Sequence, residues 1–337
     1  MLPGFTEGHY LKFMRTPIAF FIFRRPDTTL RVFDAIRKAR PKQLFVVADG
    51  GRDSDEWKKC NEARTITEAV DWPCEVKRNY ADKNLGCKIR VSSGLDWVFD
   101  NEEQAIILED DTLPDQTFFP YAEELLERYK NDERIMHISG INFQRKNPKF
   151  LCEASYYFSH IPQIWGWASW RRAWKRYDVS IASWPEVKKS RLLFELFRDP
   201  AAADYWEYRF SEVYEKRNST DPRETWDSQW AYACMVNRGL AINPNVNLVT
   251  NIGAGSAGTQ MIGEKEGRLG NVPAGAIAFP LIHPAKTEVN EIADAFSLFY
   301  VWGINATLKK RIISFLKFRT PVLYKMLRRI YHVLIKQ

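Results

Sequence analysis

Several familiar signatures are missing from this 337-residue chain, and each absence narrows its chemistry. No GxGxxG or GxxxxGK[ST] follows the first strand-like run. Arg24-Arg25-Pro26 stands there instead, against a dinucleotide fingerprint or a P-loop. The five cysteines (Cys60, Cys74, Cys87, Cys152, Cys234) form no CxxC and no metal-like spacing. Their odd number and wide scatter suit free thiols in a reducing compartment. No stretch approaches the ~20 apolar residues of a membrane span, and no basic-then-apolar signal opens the chain. No acidic residue follows Asp294, whereas nine Lys or Arg do; removing those nine from the overall +7 leaves about −2 for residues 1–294. The basicity therefore belongs to a tail, which excludes a nucleic-acid face on the main fold as an expectation.

What is present reads as a large α/β body. Hydrophobic residues at 45% and aromatics at 14% suffice for a packed core, and the 12 Trp can either fill it or stack on ligands. Strand and helix patterns alternate from Thr16. Strands are expected at Pro17–Phe23, Gln43–Ala48, Cys74–Tyr80, Gln104–Leu108 and Ile135–Ile141. Between them, helices are expected from Asp27 or Thr28 to Arg40 and over Asp55–Val70, Lys88–Asp100 and Asp115–Asn131. This order predicts a Rossmann-like, mainly parallel sheet flanked by helices. The second half is less regular: helices over Arg171–Tyr177, Leu192–Phe197, Ala202–Lys216 and from Thr225 to Asn237, then a strand over Gly239–Leu248 with Asn243-Pro244 as a turn. A loop of small residues follows at Asn251–Gly258, with the composition of a closing loop.

One stretch stands out. Gln104-Ala105-Ile106-Ile107-Leu108 is apolar enough to be buried on both faces, and it ends in Glu109-Asp110-Asp111. Three adjacent carboxylates repel one another unless a cation or donors offset them. Alone, the triplet reads equally as a charged turn, with Thr112 or Asp115 capping the next helix. In a parallel sheet, however, Arg24-Arg25 after the first strand, Asp49-Gly50-Gly51 after the second and the acid triplet after the fourth share one edge. That edge is where open α/β sheets bind ligands. Basic groups suit a diphosphate, and Asp111 could hold Mg²⁺ or Mn²⁺, which take one or two carboxylates plus substrate phosphates.

With these residues in order, residues 17–262 resemble GT-A-type glycosyltransferases, most closely N-acetylglucosaminyltransferase type I and related bacterial nucleotide-diphospho-sugar transferases. The resemblance is carried by Ile22-Phe23-Arg24-Arg25, Val47-Ala48-Asp49-Gly50-Gly51, Asn84-Leu85-Gly86-Cys87-Lys88-Ile89-Arg90 and Leu108-Glu109-Asp110-Asp111. It continues through Trp165-Gly166-Trp167, Thr225-Trp226-Asp227-Ser228-Gln229-Trp230 and the Asn251–Gly258 loop. It implies a metal-dependent, inverting hexosyl- or N-acetylhexosaminyltransferase using a nucleoside-diphosphate sugar, with a UDP-sugar favoured. In that pattern Asp111 binds the metal. Glu109 and Asp110 contact ribose and donor sugar or reach the metal through water, Asp49 reads the base, Arg24 or Arg25 lies near base or phosphates, and Lys88 lies near the donor. Asp227 aligns with the general base, although an Asp at a helix start can equally be only a cap. Trp165, Trp167, Trp226 and Trp230 are acceptor-platform candidates, with core packing the alternative. His283 is expected to be a structural loop residue and His137 a satisfied sheet residue.

The expected organisation is an N-terminal extension (1–15), a catalytic domain (16–290, with a nucleotide-sugar half 16–142 and an acceptor half 143–290) and a basic amphipathic tail (291–337). Residues 308–336 would attract an anionic membrane surface or pack on the domain. This fits a cytoplasmic protein, or one peripheral on the inner face of the membrane, with a glycan or lipid-linked acceptor. The rivals are a nucleotidyltransferase acting on a sugar phosphate and a non-catalytic membrane-surface adaptor on a degenerate GT-A fold.

Overall fold

The continuous apolar runs become inner strands. The computed structural model describes residues 14–197, 199–219, 221, 224–253, 269–304 and 320. Strands β1 (Ile18–Ile22), β2 (Gln43–Ala48), β3 (Glu75–Tyr80) and β4 (Gln104–Glu109) are joined by helices α1 (Pro26–Ala39), α2 (Ser54–Ile66) and α3 (Gly86–Asn101). Every residue of β1 is buried, because the strand serves two cores at once. Ile18, Phe20 and Ile22 pack with apolar residues of α1 and with α4 (Phe118–Arg128), whereas Ala19 and Phe21 pack with Val91, Leu95 and Val98 of α3. A strand covered on both faces has no reason to alternate polar and apolar residues.

The remaining strands are β5 (Thr112–Pro114), β6 (Ile135–Ser139), β7 (Tyr156–Ser159), β8 (Trp167–Trp170), β9 (Leu240–Pro244) and β10 (Val249–Asn251). The large sheet has the order β3-β2-β1-β4-β8-β6-β9-β7. Its first four strands are parallel, β8 runs antiparallel to both β4 and β6, and β7 closes the edge antiparallel to β9. This is the doubly wound α/β architecture the sequence predicts, with a parallel first half and a mixed second half. From β1 the chain moves outward through β2 and β3, then crosses back to place β4 on the other side of β1. The crossovers diverge there, so a crevice opens at the carboxyl ends of β1 and β4.

Helices α5 (Arg171–Trp174), α6 (Trp184–Ser190), α7 (Leu192–Leu196), α8 (Pro200–Glu215) and α9 (Asp227–Val236) follow β8, and α6–α8 share with Ala231, Tyr232 and Met235 of α9 an apolar cluster around Trp184, Trp206 and Phe210. Helix α10 (Glu291–Trp302) ends the described body. It falls in the stretch expected to start the tail, yet it is docked: buried Asp294 accepts hydrogen bonds from Ser159 Oγ and from the His160 amide at 2.9 Å. The tail over 308–336, apart from Thr320, and most of the 1–15 extension lie outside the described residues. Among the described residues no helix is long and apolar enough to cross a membrane.

Two local expectations are corrected. Residues Thr112–Pro114 form β5, paired antiparallel with β10, so α4 starts at Phe118 rather than Asp115. Asn243-Pro244 is not a turn but the end of β9, paired with Tyr156 and Tyr157. Trp167–Trp170, for which the sequence predicts no element, is an inner strand. His137 is satisfied in the core as expected. Its Nδ1 accepts the Trp230 indole N–H at 3.1 Å, which leaves Nε2 to donate to the Gln163 carbonyl at 2.9 Å. Burial pushes its pKa down to about 4, so it remains neutral.

Candidate active site

The crevice is a cavity of about 350 Å³, within the range of small-molecule sites, and the acid triplet and Asp227 both line it. Strand register delivers the acids. Glu109, the last residue of β4, pairs with Phe21 of β1, and Asp110 and Asp111 follow past the sheet edge. Arg25 arrives from the other side. It stands between β1 and α1, where Pro26 at the first helical position ends the strand pattern abruptly.

Arg25 is the cation the triplet requires. Nη1 donates to Asp111 Oδ2 at 2.7 Å and Nη2 donates to Asp110 Oδ1. Asp110 Oδ2 also accepts the Phe23 amide at 3.0 Å. Burial alone would lower the Arg25 pKa, but the two carboxylates outweigh it and hold the guanidinium charged. Burial works to raise the pKa of Asp110, opposed by Arg25 and the Phe23 amide. Glu109 has no such partner for its carboxylate among the described residues. Burial first, then Asp111 and Asp110, raise its pKa to about 8. Asp110 and Asp111 form the turn between β4 and β5, and Asp115 accepts the Thr117 amide at 2.9 Å before α4, as in the charged-turn reading; the carboxylates of Asp110 and Asp111 also meet Arg25 at the cavity.

Behind the pair stands Gly253. A Cβ there would lie 2.3 Å from Asp111 Oδ2 and 2.6 Å from Arg25 Nη1, so only glycine lets the backbone pass this close. The Ile252 amide donates to the Asp111 carbonyl at 2.8 Å, tying the end of β10 to the triplet. Residues 254–258 of the small-residue loop lie outside the described residues.

Asp227 lines the same cavity, near enough to Glu109 to act on its charge. It is the first residue of α9, whose N-cap is Trp226 with no side-chain cap, so capping is not its role here. Its Oδ1 is buried with no hydrogen-bond partner among the described residues. The indoles beneath fix its position: Trp226 stacks on Trp167 at 5.6 Å between ring centroids, and Trp167 contacts Trp230 at 5.7 Å.

Other sequence candidates are placed differently. Trp167 and Trp230 are fully buried and do not line the cavity, so they support the site from the core, whereas Trp226, 2% exposed, reaches the cavity lining. Trp165 alone of the four is partly exposed, and it lines the cavity. Lys88 is buried, its Nζ donating to the carbonyls of Ser219 at 3.1 Å and Arg217 at 3.5 Å, and it does not line the cavity. Arg24 turns away to pair with Glu56 at 2.7 Å. Asp49 does line the cavity, but its carboxylate is full: Oδ1 accepts the amides of Gly50 and Leu85, and Oδ2 accepts the Asn84 side chain and the Gly86 amide. Four acceptor sites used internally leave none for a base, and Asp49 instead fixes the start of α3. His283 lies elsewhere, its Nδ1 3.0 Å from the Tyr156 hydroxyl, as a structural residue.

Sequence reading missed Arg52 and Arg90, both cavity-lining cations. Arg90 is held by the backbone and side-chain oxygens of Asn79 at 3.0 and 2.9 Å. Helical spacing could have found it, since Cys87, Arg90 and Val91 share the face of α3 that lines the cavity, and Lys88 does not.

Among the described residues no three His, Cys, Asp or Glu side chains converge as a preformed metal cage. The donor set is nonetheless all oxygen. Asp111, with its side chain 14% exposed against 3% for Asp110, suits a hard divalent ion that completes its shell with substrate oxygens and water.

No protein-family model and no curated protein matches the chain. Among solved structures it is similar to a UDP-glucose pyrophosphorylase complexed with UDP-glucose, at 12% identity and TM-score 0.23 over 43% of this chain and 62% of that one. It is also similar to mouse xyloside xylosyltransferase 1 in its apo form, at 10% identity and TM-score 0.31 over 65% of this chain and 81% of that one. The chain thus spans less than two thirds of the pyrophosphorylase. Likeness at this level adds nothing to what the chain's own geometry carries.

Proposed function

We propose that this chain is a glycosyltransferase that moves a sugar from a nucleoside-diphosphate sugar, a UDP-sugar for preference, to a glycan or glycolipid hydroxyl with inversion. The observation that carries the reading is the buried Asp227 Oδ1, without a hydrogen-bond partner among the described residues, in a cavity that the acid triplet and Arg25 also line. The acceptor hydroxyl gives its proton to Asp227 while its oxygen bonds the anomeric carbon. The bond from that carbon to the diphosphate oxygen breaks on the opposite face, and the electron pair leaves with the diphosphate. Inversion requires the base to meet the acceptor on the face of the sugar opposite the leaving group, and such a base contributes about 10²–10⁴-fold.

Charge builds on the departing diphosphate and must be met by fixed positive groups. Arg25, Arg52 and Arg90 are the cavity's own. Mn²⁺ or Mg²⁺, held by Asp111 with Glu109 nearby, would supply further positive charge against the diphosphate.

The test is product analysis with a panel of nucleotide sugars. Release of nucleoside diphosphate supports glycosyl transfer, whereas pyrophosphate would mean nucleotidyl transfer and overturn it. Asp227→Asn should retain donor binding in a thermal-shift assay and lose transfer by at least ~10²-fold. Unchanged transfer would remove Asp227 from the mechanism.

A further inference from the structure

Asp227 borders two cavities. Beyond the one it shares with the acid triplet, a second of about 680 Å³ opens on the far side, and Ile164, Trp165, Thr225 and Asp227 line both. The outer wall of the second cavity is α8, which contributes Tyr205, Tyr208, Arg209 and Glu212, and α10 adds Trp302. Aromatic side chains are concentrated here. Trp165 stands at the entrance between the two cavities, Tyr205 and Trp302 contact at 6.2 Å, and Tyr208 is 39% exposed.

The charges of this wall are paired. Arg209 donates to Ser228 Oγ at 3.0 Å and to Glu212 at 2.9 Å, and Lys216 pairs with Glu212 at 3.2 Å and with Glu224 at 3.7 Å. Both cations that reach the cavity among the described residues are therefore matched by carboxylates, so this wall offers an anion no spare positive charge; on the donor side Arg25 and Arg52 are paired likewise, and Arg90 is held by the Asn79 oxygens. An uncharged, hydroxyl-rich molecule has aromatic faces and carboxylate acceptors in the second cavity.

We propose that the second cavity is the acceptor subsite, and that it takes an uncharged saccharide whose attacking hydroxyl reaches Asp227 from the α8 side. The assignment rests on the reading of Asp227 as base. The saccharide lies against Trp165 and the α8 aromatics, and the donor occupies the opposite cavity, so the two substrates meet only at Asp227. Transfer then proceeds with the bond changes already given: the acceptor proton passes to Asp227 and the diphosphate leaves with the electron pair.

The experiment uses the full chain with methyl β-glycosides of neutral hexoses and N-acetylhexosamines, set against methyl glucuronide and hexose 6-phosphates. Saturation-transfer NMR reads glycoside binding, thermal shift reads nucleotide-sugar binding, and steady-state kinetics reads each KM separately. The neutral glycosides should bind and the charged ones should not. Tyr208→Ala should raise the acceptor KM about tenfold while the donor KM stays within about twofold, as expected for one lost stacking contact. Trp302→Ala, with its melting curve as a check on folding, should act in the same direction. If nucleotide sugars stabilise the protein but neutral glycosides give no signal, or if acceptor KM is unmoved in Tyr208→Ala, the acceptor assignment is overturned and the donor reading stands. A best acceptor bearing a carboxylate or phosphate overturns the assignment likewise. If no nucleotide sugar binds the wild type, the donor reading falls and the assignment falls with it.

Discussion

Replacing Arg25 with Ala leaves Asp110 and Asp111 without their guanidinium in a site where Glu109 already lacks a partner for its carboxylate among the described residues. Removing one member of a buried ion pair costs about 3–5 kcal/mol. The Arg25 side chain keeps 21% exposure, so water shares part of the burden and the low end, about 3 kcal/mol, is expected. At roughly 2 °C per kcal/mol for a large domain, the melting temperature should fall by about 6 °C in chelator-treated buffer, read by differential scanning fluorimetry. The same substitution frees the carboxylates proposed to meet a divalent ion. At a hundredfold excess over Kd, one-site binding stabilises by about 2.7 kcal/mol, so Mn²⁺ should restore most of the loss in Arg25→Ala. The wild type should gain less, because Arg25 already holds Asp111. An unchanged melting temperature in Arg25→Ala would refute the counter-ion reasoning. A fall that Mn²⁺ leaves untouched would refute the use of Asp111 as a metal ligand.

Further outcomes follow from the same geometry. Gly253→Ala should separate Arg25 from Asp111, because the new Cβ meets both within 3 Å; a weakened nucleotide-sugar thermal shift is the readout, and a wild-type response would contradict the close approach. Trp230→Ala should cost about 3–5 kcal/mol in chemical denaturation as a core deletion, since Trp230 is fully buried and hydrogen-bonded to His137. A stable Trp230→Ala variant with only a raised acceptor KM would restore the platform reading for that residue. Asp294 supplies a pH dependence. Burial, the leading influence, raises its pKa to about 7 despite the Ser159 and His160 hydrogen bonds, whereas an unfolded Asp titrates near ~3.9. The folded state thus holds the proton more tightly between those values. Its contribution to stability is complete below about pH 4, declines as pH rises, and is gone above about 7. Asp294→Asn should flatten that slope in melting curves taken from pH 4 to 8, and an unaltered slope would count against it.

The parallel half of the fold was legible because strands covered on both faces are apolar along their buried length, as β1 is throughout and β2 and β4 are between their polar ends Gln43, Gln104 and Glu109. Strand β8 was not, since Trp-Ala-Ser-Trp carries no period and its place is set by antiparallel partners distant in sequence. Strand β5 is three residues long and exists only through β10. At the site, chemistry was legible but direction was not. Arg24 and Arg25 are neighbours in a sequence that names both, yet one pairs with Glu56 and the other with the triplet. Lys88 and Arg90 differ by two positions on a helix, which is enough to send one to the Ser219 carbonyl and the other to the cavity. The indoles were noticed for their stacking ability, but their packing around His137 and α9 depends on long-range contacts no local pattern encodes.

The cluster of α6, α7 and α8 has a bearing on how such a chain can diversify. It is one stretch between the end of β8 at Trp170 and the start of α9 at Asp227, and it packs its apolar side chains on Tyr232 and Met235 of α9. Both junctions are anchored in the shared core by the contact of Trp174 with Trp230. Lengthening or exchanging a segment held at fixed ends costs only about 0.6 kcal/mol per doubling of length. The wall that would greet the acceptor could therefore be swapped as a cassette, while Arg25 and the acid triplet, carried by the first half of the chain, keep their geometry. Recombination at Trp170 and Asp227 would be a natural place to graft a new acceptor preference onto an unchanged donor frame.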